Sequence, residues 1–131
     1  MSHLHKTIEQ TFLNIVALLS ERWTYRIAAA LSFLFVLAAA ILPAWRLLPA
    51  AREAKFIPLH YNIYFGIDRF GKWEEMFVPA MVGFAILIVN LVVASVFFRN
   101  ERMFALFSCW MTVLLETILF SATIFIVLIN I

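Results

Sequence analysis

Three long apolar runs, at residues 27–48, 76–98 and 103–129, constrain this chain more than any other feature of its sequence. Crossing the hydrocarbon core of a bilayer, about 30 Å thick, takes about 20 helical residues, and each run reaches that length. Because lipid offers the backbone no hydrogen-bond partners, such runs form helices. With 65% hydrophobic and 14% charged residues, the chain also departs from the composition of soluble domains. The sequence therefore predicts a single membrane domain, an all-α integral membrane protein with three transmembrane helices.

The segments between these runs predict how the helices are connected. Only residues 99–102, RNER, separate the second run from the third. A connection this short makes the two helices antiparallel neighbours. The first and second runs are separated by the longer segment 49–75, which we expect to be a structured loop.

The N-terminal segment, residues 1–24, has a helical pattern of its own. Its apolar residues recur on one face at helical spacing, namely Leu4, Ile8, Phe12, Ile15, Leu19 and Trp23. This pattern predicts an amphipathic helix in the membrane interface, with a partly ordered tail as the alternative. The segment is long for the charged start of a signal peptide, which favours an uncleaved anchor.

The placement of Lys and Arg around the runs predicts the orientation. The 10 basic residues divide equally between the two sides. However, one side places its basic residues directly against the ends of the runs, at Arg22, Arg26, Arg99 and Arg102. We therefore expect a multi-pass protein of the cytoplasmic membrane, with the N-terminus and the short turn in the cytoplasm and the long loop outside.

Polar residues inside the runs are expected to face the interior of the bundle, because exposing them to lipid is costly. The third run carries a polar stripe at helical spacing, formed by Ser108, Thr112, Glu116 and Thr123. The second run carries a stripe of small or amide side chains, formed by Ala80, Gly83, Asn90 and Ala94. Small residues and interhelical hydrogen bonds hold membrane helices together, so we expect these stripes to face each other. Counting from the turn places Asn90 level with Thr112, and Glu116 level with residues 83–85 and 38–40.

Asn90, Thr112 and Glu116 are therefore candidate intramembrane site residues, and they have two interpretations. They are either packing contacts within or between subunits, or part of a proton or cation pathway. Glu116 is the only acidic residue within a run. As a carboxylate it would need a cation, for which Arg46 is nearest in depth, and otherwise it would be protonated.

The stretch PLHYNIYFGIDRFGKW, residues 58–73, is the one long segment that is not simply apolar. Its proline favours an extended entry, its two glycines allow turns, and Asp68 can hydrogen-bond its own backbone. Its aromatic residues suit the headgroup region, namely Tyr61, Tyr64, Phe65, Phe70 and Trp73. We expect an ordered cap that lies on the bundle.

Motifs for catalysis, metals and nucleic acid are weak or missing in the sequence. His60 with Asp68, Glu74 and Glu75 matches no zinc spacing. The sequence shows no nucleophile with a base at sensible spacing, no phosphate-binding loop and no haem motif. The net charge of +2 is small for a nucleic-acid protein, and a lone Cys109 makes no intrachain disulfide. We predict no enzymatic activity, no cofactor and no metal, with a membrane enzyme as the least favoured alternative.

The same stretch resembles a segment of the SdpI-like bacterial integral membrane proteins and their small relatives. The residues that carry the resemblance are Pro58, His60, Asn62, Gly66, Asp68, Gly71 and Lys72, followed by an apolar span. The spacing departs from the family pattern by one residue on either side of Gly66, and Lys72 follows its glycine directly. The resemblance implies an outward-facing loop and, in some members, protection of a producer cell against its own peptide toxin.

These observations together predict a small, non-enzymatic interaction subunit or toxin-immunity-like protein that acts through the 49–75 loop. The expected partners are membrane lipid and another membrane protein or a second copy of the chain, with no nucleic acid. The alternative is an oligomeric transport or ion-conducting subunit that uses Glu116 and Asn90.

Overall fold

A computed structural model describes residues 2–54 and 56–131, with side chains from residue 5 onward, so Leu4 of the predicted amphipathic face lies outside the described side chains. The helices are α1 (Ser2–Glu21), α2 (Trp23–Arg46), the one-turn α3 (Leu48–Ala51), α4 (Val78–Phe97) and α5 (Arg102–Leu128). Two strands, β1 (Ile57–Asn62) and β2 (Gly66–Gly71), and a 3₁₀ turn (Trp73–Phe77) lie between α3 and α4. Helices α2, α4 and α5 are long and apolar enough to cross a membrane. The prediction of an all-α, three-span membrane protein is confirmed.

The three spanning helices pack along stripes of small and polar residues. The buried residues of α2 are Tyr25, Ala28, Ser32, Val36, Ala39 and Pro43. The stripes predicted for α4 and α5 are buried as well, apart from the half-buried Asn90. Lipid supplies no hydrophobic drive for helix association, so close approach at small side chains holds the bundle together. The large apolar residues of these helices mostly point outward, where lipid covers them.

At the end of the bundle where α4 turns into α5, helix α1 packs across the other helices. Leu18 of α1 is fully buried, in a cluster with Tyr25, Ala28 and Phe98. Glu21 forms an ion pair with Arg102, with 3.1 Å between Oε1 and Nη2. The Tyr25 hydroxyl donates a hydrogen bond to the Arg102 carbonyl oxygen, at 3.1 Å. These contacts tie the N-terminal helix to the start of α5.

The boundaries of the first two helices differ from the predicted 1–24 and 27–48. Arg22 is extended, with φ −138°, and separates α1 from α2, which begins at Trp23. Trp23 therefore belongs to the first span. Leu18, which was not on the predicted apolar face, is the residue of α1 that packs most deeply, because α1 rests on α2 and α4.

At the opposite end, residues 49–75 form a cap whose base packs on the bundle. The cluster that joins them consists of Leu47, Ala51, Ile57, Met76, Ile126 and Val127. Strands β1 and β2 pair antiparallel, with Ile57 opposite Gly71 and Asn62 opposite Gly66. The sequence predicted an ordered turn here but no strands. The ladder depends on cross-strand pairing, with shifts in register around His60, and no regular alternation announces it.

Candidate functional site

The tip of the cap is a three-residue turn with an apolar surface. The Tyr64 amide donates a hydrogen bond to Oδ1 of Asn62, at 2.9 Å, which is an Asx turn. Gly66 then takes a left-handed conformation, with φ +76°, which side-chain-bearing residues rarely adopt. Between them Ile63, Tyr64 and Phe65 are 82–86% exposed. The hydrogen bonds of the turn thus present three large apolar side chains away from the bundle.

His60 and Asp68 join the two strands where the register shifts. Nδ1 of His60 lies 2.6 Å from Oδ1 of Asp68. The two side chains retain 63% and 35% of their exposure, so water reaches both of them. Because exposed pairs of this kind contribute little to stability, this pair orients the middle of the hairpin more than it holds the fold together.

The base of the cap is braced by Glu75 in the 3₁₀ turn. Oε2 of Glu75 accepts from Arg69 Nη2 at 3.1 Å, and Oε1 accepts from the Lys72 backbone N–H at 3.0 Å. The Glu75 N–H in turn donates to the Lys72 carbonyl, at 3.0 Å. A Cβ at Gly71 would overlap Leu59, so only glycine permits this packing.

A second brace comes from the end of α5. The Asn130 side-chain amide donates to the carbonyl oxygens of Pro58, at 2.7 Å, and of Ile126, at 2.8 Å. Asn130 was not among the predicted site residues, because a single amide at the end of an apolar run carries no distinctive pattern. The prediction that the cap lies on the bundle is therefore right for its base and wrong for its tip.

A cleft of about 460 Å³ lies between β1 and the last turns of α5. Its lining is mostly apolar, with His60 at one edge, and consists of Leu59, His60, Tyr61, Ala122, Phe125, Ile126 and Ile129. The volume falls within the range of about 300–1,000 Å³ that is usual for small-molecule sites. The cleft therefore adds an apolar surface beneath the hairpin.

The second candidate site is a polar seam inside the bundle, which we define as Ser32, Asn90, Thr112 and Glu116. The Asn90 side-chain amide donates to Oγ1 of Thr112, at 2.8 Å. The Thr112 hydroxyl donates in turn to the Ser108 carbonyl, at 2.9 Å. This bond joins α4 to α5, and it confirms the predicted facing of the two stripes and the predicted level of Asn90 and Thr112.

Glu116 lies one turn further along α5 and is only 2% exposed. A Cβ at Gly83 would overlap Oε2 of Glu116, so the glycine leaves the space that the carboxyl group fills. Oε1 has no hydrogen-bond partner in the described chain. The counter-ion suggested by the sequence is wrong, because Arg46 is exposed and lies over the Trp45 ring, 5.9 Å from its centroid.

Ser32 of α2 completes the seam and was missed as a site residue from the sequence. Its side chain is fully buried, and its Oγ is the other buried side-chain oxygen of the described chain that has no hydrogen-bond partner. It lines a cavity of about 10 Å³ together with Asn90 and Thr112. Its spacing from Ala28 and Val36 could have placed it on the inner face of α2.

Three of the cap residues that carry the family resemblance shape the hairpin turn and its middle, and the seam residues lie apart from them in the bundle. Within residues 2–54 and 56–131, no three side chains of His, Cys, Asp or Glu gather as a metal site. Comparison with family models, with curated proteins and with solved structures gave no match. The resemblance to the SdpI-like proteins therefore remains a hypothesis that the cap residues motivate.

Proposed function

We propose that this chain is a small, non-enzymatic interaction subunit of a bacterial cytoplasmic membrane, and that it binds a partner through the tip of its cap. The observation that carries this proposal is the exposure of Ile63, Tyr64 and Phe65, at 82–86%. Neighbouring exposed apolar side chains of this size are typical of interaction sites. Aromatic anchors in particular account for much of the binding energy at protein interfaces.

The bracing of the hairpin supports the same proposal. The Asn62 turn, the His60–Asp68 pair and the Glu75 contacts restrict the hairpin before any partner arrives. A restricted surface loses less conformational entropy on binding, which favours affinity. A purely structural connection between two spans would not need an apolar tip held clear of the bundle.

The partner that fits this surface is an apolar or amphipathic segment close to the membrane. Such a segment belongs to another membrane protein, to a membrane-active peptide or to a second copy of this chain. A peptide partner would agree with a toxin-immunity-like role, the role that a relationship to the SdpI-like proteins implies. In the proposed orientation, α1 and the 99–102 turn lie in the cytoplasm and the cap lies outside, as the basic residues beside the span ends favour.

Site-specific photo-crosslinking in native membranes tests this function. A photoreactive residue at Tyr64 is expected to capture one partner at a fixed ratio, whereas the same residue at Arg52, which is exposed in the same cap but away from the tip, is not. Substituting Tyr64→Ser together with Phe65→Ser should weaken capture at least tenfold, since anchor residues contribute more than about 1 kcal/mol each. Capture of lipid alone, or equal capture from both positions, would contradict the proposal.

A second candidate function is an oligomeric transport or ion-conducting subunit that uses Glu116 and Asn90. The observation in its favour is the buried, unpartnered carboxyl oxygen of Glu116 within a span. Intramembrane ionisable groups commonly mark ion or substrate pathways. Flux measured in proteoliposomes separates the two functions, because Glu116→Gln should abolish it while the Tyr64 and Phe65 substitutions leave it unchanged.

A further inference from the structure

The polar seam contains two buried oxygen atoms without hydrogen-bond partners, Oγ of Ser32 and Oε1 of Glu116. Buried polar groups almost always have partners, so an exception indicates a water molecule, an ion or a functional role. In hydrocarbon surroundings the cost of leaving them unpaired is higher still. We propose that the seam binds one monovalent metal cation of the Na⁺ class between Glu116, Ser32 and the Asn90 carbonyl oxygen.

The geometry of α5 brings the carboxyl group and the cavity together. Glu116 follows Thr112 by one helical turn, about 6 Å along the axis, on the same face. Long side chains on a helix lean toward its N-terminus, which for Glu116 is the direction of Thr112 and the cavity. On α4 the same offset separates Gly83, beside the carboxyl group, from Leu87, which lines the cavity. The carboxyl group and the cavity therefore occupy adjacent turns of both helices.

The donor set suits a hard cation. The Asn90 amide uses its N–H₂ group on Thr112, which leaves its carbonyl oxygen available. Carboxylate, hydroxyl and amide oxygens are the ligands that hard cations take in proteins. The cavity of about 10 Å³ is close to the space that one water-sized species occupies, about 10–15 Å³. An ion at its edge would satisfy both unpartnered oxygens.

The charge of the seam limits the ion to a single positive charge. The buried polar or charged side chains of the described chain are Ser32, Ser95, Ser108, Thr112, Glu116 and Thr123, so no Lys, Arg or His faces Glu116 from any packed helix. One carboxylate neutralises one monovalent cation, whereas a divalent ion would leave an uncompensated charge in a low-dielectric interior. The inference is independent of the cap, and it names the ligand that the second candidate function would need.

Direct binding of ²²Na⁺ to the purified full-length chain in detergent tests the inference. The wild-type chain is expected to retain one Na⁺ per chain, and Glu116→Gln, which is nearly isosteric, is expected to retain none. Ser32→Ala should weaken Na⁺ binding about tenfold, the cost of one hydrogen bond or ligand contact to a charged group. The matched control is Ser121→Ala on the exposed face of α5, where the hydroxyl donates only to the Thr117 carbonyl at 2.8 Å.

Thermal unfolding provides the second readout and guards against misfolded variants. NaCl should raise the unfolding temperature of the wild-type chain relative to choline chloride at equal ionic strength, because a ligand that binds only the folded state stabilises it. Glu116→Gln should show no such difference, while partner capture by its cap is unchanged. Equal stabilisation of both chains, or no Na⁺ binding by a folded wild-type chain, would overturn the inference and leave Glu116 as a protonated packing residue.

Discussion

The cap and the polar seam arrange polar and apolar groups in opposite ways. In the cap, hydrogen bonds and ion pairs lie at the surface and hold three apolar side chains out in the open. In the seam, polar side chains are buried between helices whose outer faces are apolar. The two regions lie in different parts of the fold, since the cap is joined to the bundle through its apolar base.

The difference follows from where each region finds its partners. The polar groups of the cap can exchange their protein partners for water, so each contact there contributes little. The polar groups of the seam have no water to fall back on, so a lost partner or a lost space should cost more. We therefore expect substitutions in the seam to change global stability and those in the cap to change local structure and binding.

The largest effect is expected from filling the space beside Glu116. Gly83→Ile places a branched side chain where the carboxyl group lies, and overpacking of this kind costs about 1–3 kcal/mol or more. Ala85→Ile is the matched control, because Ala85 is exposed on the same helix and its larger side chain would face lipid. Thermal unfolding in detergent measures both variants. Equal stability of the two would show that the α4–α5 packing around Glu116 is absent.

A smaller effect is expected from breaking the hydrogen bond between Asn90 and Thr112. Thr112→Val removes the acceptor and leaves the Asn90 amide without its partner. Interhelical hydrogen bonds in membranes contribute about 0.6–2 kcal/mol. A double-mutant cycle with Asn90→Leu isolates this coupling in denaturation experiments.

Thr117→Val is the control for that cycle. The Thr117 hydroxyl is exposed and donates only to the Val113 carbonyl of its own helix, at 2.8 Å. Its removal should cost less than about 0.5 kcal/mol, as for most surface substitutions. A cycle in which Asn90 and Thr112 act independently would remove the main contact that defines the seam.

In the cap, Gly66→Ala is expected to loosen the hairpin without unfolding the bundle. No atom lies within 4 Å of the added Cβ, so the cost comes only from the φ of +76°. That cost is about 1–2 kcal/mol for a residue other than glycine, and less for asparagine. Hydrogen exchange should quicken at the amides of β1 and β2 in Gly66→Ala, and less in Gly66→Asn. Faster exchange throughout α4 and α5 would show that the cap and bundle unfold together.

The sequence predicted the seam better than the cap, and the reason is physical. Burial of one helix face imposes a regular period, so the level of Asn90 with Thr112, and of Glu116 with Gly83, could be counted along the chain. Ser32 obeys the same period on α2, and the sequence interpretation missed it only because its Ala-rich surroundings look uniform. The expectation of no metal came from the absence of a zinc spacing, and a site of hydroxyl, amide and single carboxylate oxygens has no such spacing.

The cap follows no such period, because its contacts join residues that are distant along the chain. Asn130 meets Pro58 only after α5 has crossed the bundle, and Glu75 reaches Arg69 across the end of the hairpin. The aromatic residues near the tip were visible in the sequence, yet their exposure depends on which way the hairpin projects. Ile63 was not singled out, although it is as exposed as Phe65.

The smallest effect on stability, and the sharpest test of the contrast, is expected from Asp68→Asn. The substitution removes the charge beside His60 while retaining the shape of the side chain, and exposed pairs of this kind contribute about 0–1 kcal/mol. The unfolding temperature should therefore remain unchanged. If His60 and Asp68 shape the binding surface, crosslinking from Tyr64 should nevertheless fall, because the orientation of the middle of the hairpin is altered. Unchanged crosslinking would confine the binding surface to the tip itself, whereas a clear loss of global stability would mean that the cap contributes to the fold as strongly as the seam does.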